Sequence, residues 1–431
     1  MSKCADEFIT KVLKQIKYKK IHSTISEELN SHIYELAGNY MDEGMEEEQA
    51  YEKAIARMGN PVEIGEKLHK THKPKTEWSI MGILVVLVIF GLYTILVYSA
   101  YVNDYTYFNK QLLFMGIGIA VLISCYYFDY TKLEGYCFFG YIAACLVLLL
   151  TIMYGPKRNG RAYIVTLGFS IRASSAVIPF LLLSYSGFIK RWCDGRLLNI
   201  IKLLALAVIP LFFILMEPSM AYFLIVGAGL IIMLTLGICG KDFIGDRKKT
   251  LLILYGSSIA AIALFYRTIL YERIAVFFNP YNDSLDQGWL LVQVDKIKNS
   301  ASLLGAGSYF KNRSESLLPG TDSEFIFTFI VGKLGWLTGI ILIGLFAAIM
   351  IRLFIASWKV RDTFGKYLCL GICCVFSLQV IVNILVSMGL FPTCTVSLPF
   401  FSYGGGNYIL NMALIGLLLG VYRRKDIILE K

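Results

Sequence analysis

Histidine is scarce in this chain, and its placement excludes a whole class of chemistry. All four histidines, His22, His32, His69 and His72, precede the first long apolar run, which begins near Trp78. The remainder of the chain therefore has no imidazole for acid–base catalysis or metal ligation. Charge is also thin, at 17% of residues against roughly 25% in soluble proteins. Acids are fewer than bases, 31 against 41, and none occurs between Glu134 and Asp194. The ten cysteines are scattered; no His accompanies the cluster Cys369, Cys373 and Cys374, so buried thiols are expected there and neither a disulfide framework nor a metal centre. The first 77 residues hold no apolar run, so no secretory signal peptide is expected.

What is present is apolar. Hydrophobic residues make up 56%, aromatics 14%, and mean hydropathy is +0.61. Runs long enough to cross about 30 Å of hydrocarbon fall near 79–100, 111–128, 133–154, 173–189, 199–216, 219–238, 250–270, 324–351, 367–388 and 405–422. The expectation is an all-α polytopic membrane protein of about ten spans, the fourth and fifth being the weakest. Basic residues set the orientation. With the N-terminus in the cytoplasm, the inner loops hold Lys190, Arg191 and Arg196; Arg247, Lys248 and Lys249; Lys359, Arg361 and Lys366; and the tail Arg423, Arg424 and Lys425. Both termini are then cytoplasmic. Two outer loops oppose this bias. One holds Lys157, Arg158, Arg161 and Arg172; the long loop 271–323 holds Arg273, Lys296, Lys298, Lys311 and Arg313. Bases kept on the outside point to an anionic ligand there. The net charge of +10 resides mostly in the inner clusters, facing anionic lipid, and is not a nucleic-acid footprint.

Residues 1–72 read as a small helical domain, with 73–78 as linker and 79–425 as membrane domain. Ile25, Leu29, Ile33, Leu36 and Tyr40 form one helical stripe, with Ser26 and the acids Glu27 and Glu28 expected in its first turn. Gly59-Asn60-Pro61 ends one helix and starts the next. The pattern Glu28-Leu29, His32-Ile33, Gly44, Ala50, Ala54-Ile55, Met58-Gly59 and Pro61 resembles the short cytoplasmic HAAS-type domain of some bacterial membrane proteins, which implies a cytoplasmic partner or a regulatory role.

Near the other end, Phe391-Pro392-Thr393 is followed by Ser397-Leu398-Pro399-Phe400-Phe401-Ser402-Tyr403-Gly404-Gly405-Gly406-Asn407. Such a run cannot satisfy its own backbone in lipid, so it must be buried in protein or line a polar cavity. It resembles the Leu-Pro-Phe-x-Ser-Tyr-Gly-Gly signature of the SEDS family (FtsW, RodA and SpoVE). Further segments align with that family over about residues 80–425. Asn159-Gly160-Arg161-Ala162-Tyr163-Ile164 and Leu167-Gly168 resemble its Gly-x-Arg-Trp-Ile-x-Leu-Gly loop. The family's Gln-Pro-Ser-Glu falls on Arg172-Ala173-Ser174-Ser175, losing the glutamate, and its next lysine falls on Ile178. Gln-Pro-Asp-Leu-Gly becomes Glu217-Pro218-Ser219-Met220-Ala221. Thr-Asp-Phe-Ile-Phe, then Glu-Glu-Leu-Gly, becomes Ser323-Glu324-Phe325-Ile326-Phe327, then Gly332-Lys333-Leu334-Gly335.

The resemblance implies a bacterial plasma-membrane glycosyltransferase that polymerises lipid II at the outer face, in division, cell shape or sporulation, beside a class B penicillin-binding protein. It places the catalytic acid on Glu324, with Asp322 as alternative, and substrate contacts on Arg161, Arg273, Ser402, Tyr403, Gly404 and Gly405. Shortening Glu324 to the family's aspartate is expected to keep or raise activity. The chemistry needs a base for the attacking hydroxyl and cations for the leaving pyrophosphate, supplied by basic residues or a divalent ion, Mg or Mn. Glu217 and Lys333 are expected as intramembrane charges facing a cavity, as partners of each other. The replacements at Ser175, Ile178, Ser219 and Lys333 support an alternative, a non-catalytic scaffold or binder of lipid-linked precursor. A lipid II transporter is the third reading, weakened by the lack of an internal repeat.

Overall fold

The computed structural model describes residues 3–71, 73–158, 161–166, 169–240, 243–265, 271–283, 287–311 and 318–426. The chain divides into two units, Met1–Thr76 with Arg423–Lys431, and Glu77–Tyr422.

The first unit contains α1 (Lys3–Gln15), a 3-10 turn at Lys19–Ile21, α2 (His22–Asp42), α3 (Glu47–Met58) and α4 (Pro61–Thr71). Phe8, Val12, Ile16, Ile25, Ile33 and Ala54 meet in its core. Ser26 does not open α2: the stripe begins at the buried Ile21, so the helix starts at His22 and has no acid in its first turn. Gly59, at φ +94°, ends α3 where a side chain would be strained, and Pro61 opens α4 with its φ already set. The chain's tail belongs here, through Lys75 Nζ to Asp426 at 3.0 Å and Lys75 N to Arg423 O at 3.3 Å.

Among its described residues, the regular elements of the second unit are helices and one small sheet. Its elements are α5 (Trp78–Val102), α6 (Thr106–Tyr127), a 3-10 segment Tyr130–Tyr136, α7 (Cys137–Tyr154), β1 (Lys157–Arg158), β2 (Arg161–Thr166), β3 (Phe169–Arg172), α8 (Ala173–Ala176), α9 (Ile178–Trp192), α10 (Leu197–Met216) and α11 (Met220–Ile238). There follow α12 (Arg247–Phe265), α13 (Tyr271–Phe278), a 3-10 turn Pro280–Asp283, α14 (Gln287–Ser300), α15 (Ser308–Lys311), α16 (Ile326–Leu334), α17 (Trp336–Trp358), α18 (Thr363–Ser387) and α19 (Gly405–Arg423). Among the described residues, eight helices are long and apolar enough to cross a membrane. The fourth run is helical too, as the shorter α9, and the seventh contains α12 as far as Phe265, with 266–270 outside the described residues. At the centre, α18 packs on α9, α11, α16 and α17.

Two local features depart from the sequence reading. The loop after α7 folds as an antiparallel sheet in the order β1-β2-β3, with Tyr163 opposite Arg172 and Thr166 opposite Phe169. The eighth run is two helices. Gly335 (φ +99°) breaks it because the 302–305 loop captures the backbone on both sides: Gly305 N donates to Leu334 O, Trp336 N to Ser302 O and Leu337 N to Leu303 O, each at 3.0 Å. These bonds satisfy the open donors at the start of α17. α16 is thereby a short helix, buried from Ile326 to Gly332.

Candidate functional site

Glu324 stands immediately before α16, and its main chain is fixed first. Asn383 Nδ2 of α18 donates to Glu324 O at 2.9 Å, and Ser387 Oγ, one turn on, donates at 3.2 Å. The same Asn383 amide donates to Val396 O at 2.7 Å. One buried side chain thus joins the acid's segment to the Pro-rich segment 388–404. Ser402 makes a second stitch: its Oγ accepts from Leu398 N and donates to Ser323 O, both at 2.6 Å. Tyr403 N adds a third, donating to Asp322 O at 2.7 Å.

The Pro-rich segment dips into the bundle, as its composition requires. Phe401 packs on Phe90 and Phe346, and Phe400 on Phe376. Gly91 of α5 touches the Phe400 carbonyl where a Cβ would collide. Gly91 lies eleven residues before the end of α5 at Val102, which is about 16 Å at roughly 1.5 Å per residue. Phe400 is held at φ +68°, an uncommon conformation for a bulky residue, by this packing on every side. Gly405 then starts α19 against the Phe114 ring, with no room for a side chain.

The carboxylate of Glu324 meets Arg172, the last residue of β3. Arg172 Nη2 lies 2.7 Å from Glu324 Oε1. Its Nη1 donates to the carbonyl and to the hydroxyl of Thr395, each at 2.6 Å. Arg172 is 13% exposed and Glu324 23%. Burial works against the charge on Arg172, but Tyr222, Glu324 and Tyr163 more than offset it and hold the guanidinium above its ordinary range. A charge-assisted pair this dry is stronger than one on an open surface. Asp322 faces elsewhere, its Oδ1 accepting from Ser323 Oγ at 3.2 Å. Burial raises the Asp322 carboxyl above the usual range, and the charge of Glu324 adds to that.

The other sequence candidates separate into three groups. Arg273 reaches the same segment as Arg172, donating from Nη1 to Thr393 O at 3.0 Å. Ser402 and Tyr403 are bonded to the acid's loop as described, with the Tyr403 ring 4.9 Å from that of Tyr107, while Gly405 packs against Phe114. Gly404 has φ +148° and open space around its α-carbon. Arg161 pairs with Arg158 through its backbone; its side chain lies outside the described residues, as do Asn159, Gly160, Leu167 and Gly168.

Glu217 and Lys333 do not pair. Glu217 is buried and accepts from Ser174 N at 2.9 Å, beside the Ser174–Ser219 hydroxyl contact of 3.2 Å. Lys333 sits at the end of the short α16 with Nζ 4.6 Å from the Tyr101 ring centre, a cation–π contact. The break at Gly335 is the reason: Lys333 is carried to the end of α5 and not into the depth of a long span.

No group of three or more His, Cys, Asp or Glu converges among the described residues. The Glu324 carboxylate already has the Arg172 guanidinium against it. These residues do not by themselves form a divalent-ion site. The sequence reading missed Arg172, Thr395, Asn383 and Ser387 as parts of the site. Asn383 and Ser387, four apart near the end of an otherwise apolar helix, were a usable signal; Arg172 was counted only as a base in an outer loop.

Comparison with known proteins gives the family and the fold. Two similar curated proteins are a probable peptidoglycan glycosyltransferase FtsW of Trichlorobacter lovleyi, 27% identical over 364 residues (80% of this chain, 93% of that one), and stage V sporulation protein E of Bacillus subtilis, 28% identical over 375 residues (81% and 98%). Two solved structures share the fold. A chain of a peptidoglycan synthase complex, described as coordinating polymerization and crosslinking, has a TM-score of 0.68 at 21% identity, covering 81% of this chain and 98% of that one. The rod shape determining protein RodA of Thermus thermophilus has a TM-score of 0.60 at 19% identity, covering 81% and 97%. The family model described as cell cycle protein (FtsW/RodA/SpoVE) matches residues 73–427, and the chain belongs to that family of multi-pass bacterial membrane proteins.

Proposed function

We propose that this protein is a peptidoglycan glycosyltransferase that polymerises lipid II at the outer face of the plasma membrane, both termini lying in the cytoplasm. The observation that carries the reading is the Glu324 carboxylate, fixed by its main chain to α18, partly open, and set at the edge of the dipping segment. In the reaction a sugar hydroxyl attacks the anomeric carbon of a lipid-linked donor. The new C–O bond forms as the bond from that carbon to the pyrophosphate breaks. Glu324 takes the hydroxyl proton, and the electron pair leaves on the lipid pyrophosphate, which needs cations more than it needs a proton. Arg273, and Arg161 from the sheet, are assigned to that anion. A divalent ion, Mg or Mn, would be held through the pyrophosphate oxygens and would help to neutralise the leaving group; among the described residues no group of three or more His, Cys, Asp or Glu converges to hold it alone. Similarity to a chain of a peptidoglycan synthase complex supports a class B penicillin-binding protein as partner. The HAAS-like first unit is assigned a cytoplasmic protein partner.

The non-catalytic alternative draws on the replacements: Ser175, Ser219 and Lys333 stand where the family pattern has acids, and Ile178 where it has a lysine. Purified full-length protein, incubated with lipid II with and without its penicillin-binding partner, decides between them. Glycan polymer lost in Glu324→Gln is the expected result. Absence of polymer from wild-type protein in every pairing would leave the scaffold reading.

A further inference from the structure

We infer that Arg172 is a positioning residue, a clamp that locks Glu324 and the dipping segment into one geometry. The inference rests on the catalytic reading of Glu324 for its kinetic consequence only. Its structural basis is separate. Arg172 closes β3, and β3 is registered against β2 through Tyr163 and Ile164. The guanidinium divides its donors between two partners: Oε1 of Glu324 on one side, and both oxygens of Thr395 on the other. The side chains sit 152 and 223 residues apart in sequence. A planar guanidinium presents its donors in a rigid fork, so satisfying Thr395 fixes where the Glu324 oxygen must stand. Three short charge-assisted bonds on a side chain this buried also leave it little capacity to bind substrate directly. Tyr163 and Tyr222 border the guanidinium, and Asp322 is the other acid near Glu324.

The test uses the full chain in detergent, with variants Arg172→Gln, Arg172→Lys and Glu324→Gln. The first readout is steady-state polymerisation. Arg172→Gln should lower kcat at least about tenfold with KM for lipid II within about twofold, since misplacing a reacting group acts on the chemical step. Arg172→Lys, which keeps the charge but not the fork, should recover part of kcat. The second readout needs no activity. Cys394, buried between Thr393 and Thr395, is alkylated by a maleimide and quantified by mass spectrometry of its peptide. It should react several-fold faster in Arg172→Gln, intermediately in Arg172→Lys, and at the wild-type rate in Glu324→Gln, where the Thr395 bonds survive. Should Arg172→Gln fail to fold, the Arg172→Lys values decide alone. A rise in KM with kcat intact would make Arg172 a substrate ligand and overturn the clamp. Unchanged Cys394 protection would overturn it as well. If wild-type protein makes no polymer while Cys394 protection still depends on Arg172, the clamp stands and the glycosyltransferase reading is what fails.

Discussion

At the residue scale the decisive pair is Glu324 and Arg172, and the structure reverses one expectation about it. An aspartate at 324 matches the family pattern, but here it would withdraw the carboxylate from a guanidinium fixed by Thr395. Glu324→Asp should therefore lower activity, by up to about a hundredfold for a displacement near 1 Å. Wild-type or higher turnover would show that the ion pair does not set the geometry. Glu324→Gln removes the base and should cost roughly 10²–10⁴-fold in polymerisation at matched expression. Asp322→Asn should cost under about tenfold by the same assay, because the side chain faces Ser323. That variant also carries a pH signature. Burial raises the Asp322 carboxyl, so its ionised form burdens the folded state. The sign follows: what Asp322 contributes to stability is largest in acid and is lost as pH rises through its raised value. Asn, which never ionises, should raise the unfolding midpoint at neutral pH, with the gain shrinking toward acid. A gain that grows toward acid would contradict the assignment.

At the element scale, the α16–α17 break and the dipping segment build the site. Gly335 is left-handed, and a Cβ there would lie 2.7 Å from Leu303 O. Gly335→Ala should destabilise the membrane unit by at least about 1 kcal/mol through φ alone, with the contact adding to it. A thermal unfolding midpoint equal to wild type in detergent would show that the 302–305 loop does not hold the break. The break was not legible in the sequence. Residues 324–351 read as one apolar run, and its four glycines, Gly332, Gly335, Gly339 and Gly344, did not single out the break; only the neighbouring loop's carbonyls and amides made termination at Gly335 favourable. The same holds for the sheet, whose residues carry no alternation that lipid or core burial would impose. In contrast, the dip at 391–404 was legible, because prolines and glycines forbid a spanning helix whatever surrounds them.

At the scale of the whole molecule, the two units have separate cores. Removing residues 1–72 should leave a membrane unit that purifies as a single species and unfolds at a similar temperature. Aggregation of that truncated protein would mean that the second core is incomplete without the first. Orientation has its own check. Lys248 lies in the first turn of α12 and is exposed, and Leu303 is 68% exposed in the loop between α14 and α15. Cysteines at these two positions should label from opposite sides of the membrane, Leu303 from outside. Labelling of both from one side would reject the positive-inside assignment.

The amino-acid sequence by itself determined what depends on composition and local period. Low charge and long apolar runs required a helical membrane protein, and the stripes of residues 8–68 required a small helical bundle; the acid at 324 was pointed to by the resemblance to the family's pattern, with Asp322 as the alternative. Tertiary structure alone decided which charges meet. Arg172, Glu324 and Thr395 come together through a sheet edge, a helix start and a dipping segment, none of which is near the others in the chain. Glu217 and Lys333, which composition made natural partners, are held apart, one by a backbone amide and the other by an aromatic face. Charge pairing in a low-dielectric interior is settled by distances of a few ångströms between remote segments, and no one-dimensional pattern encodes those distances.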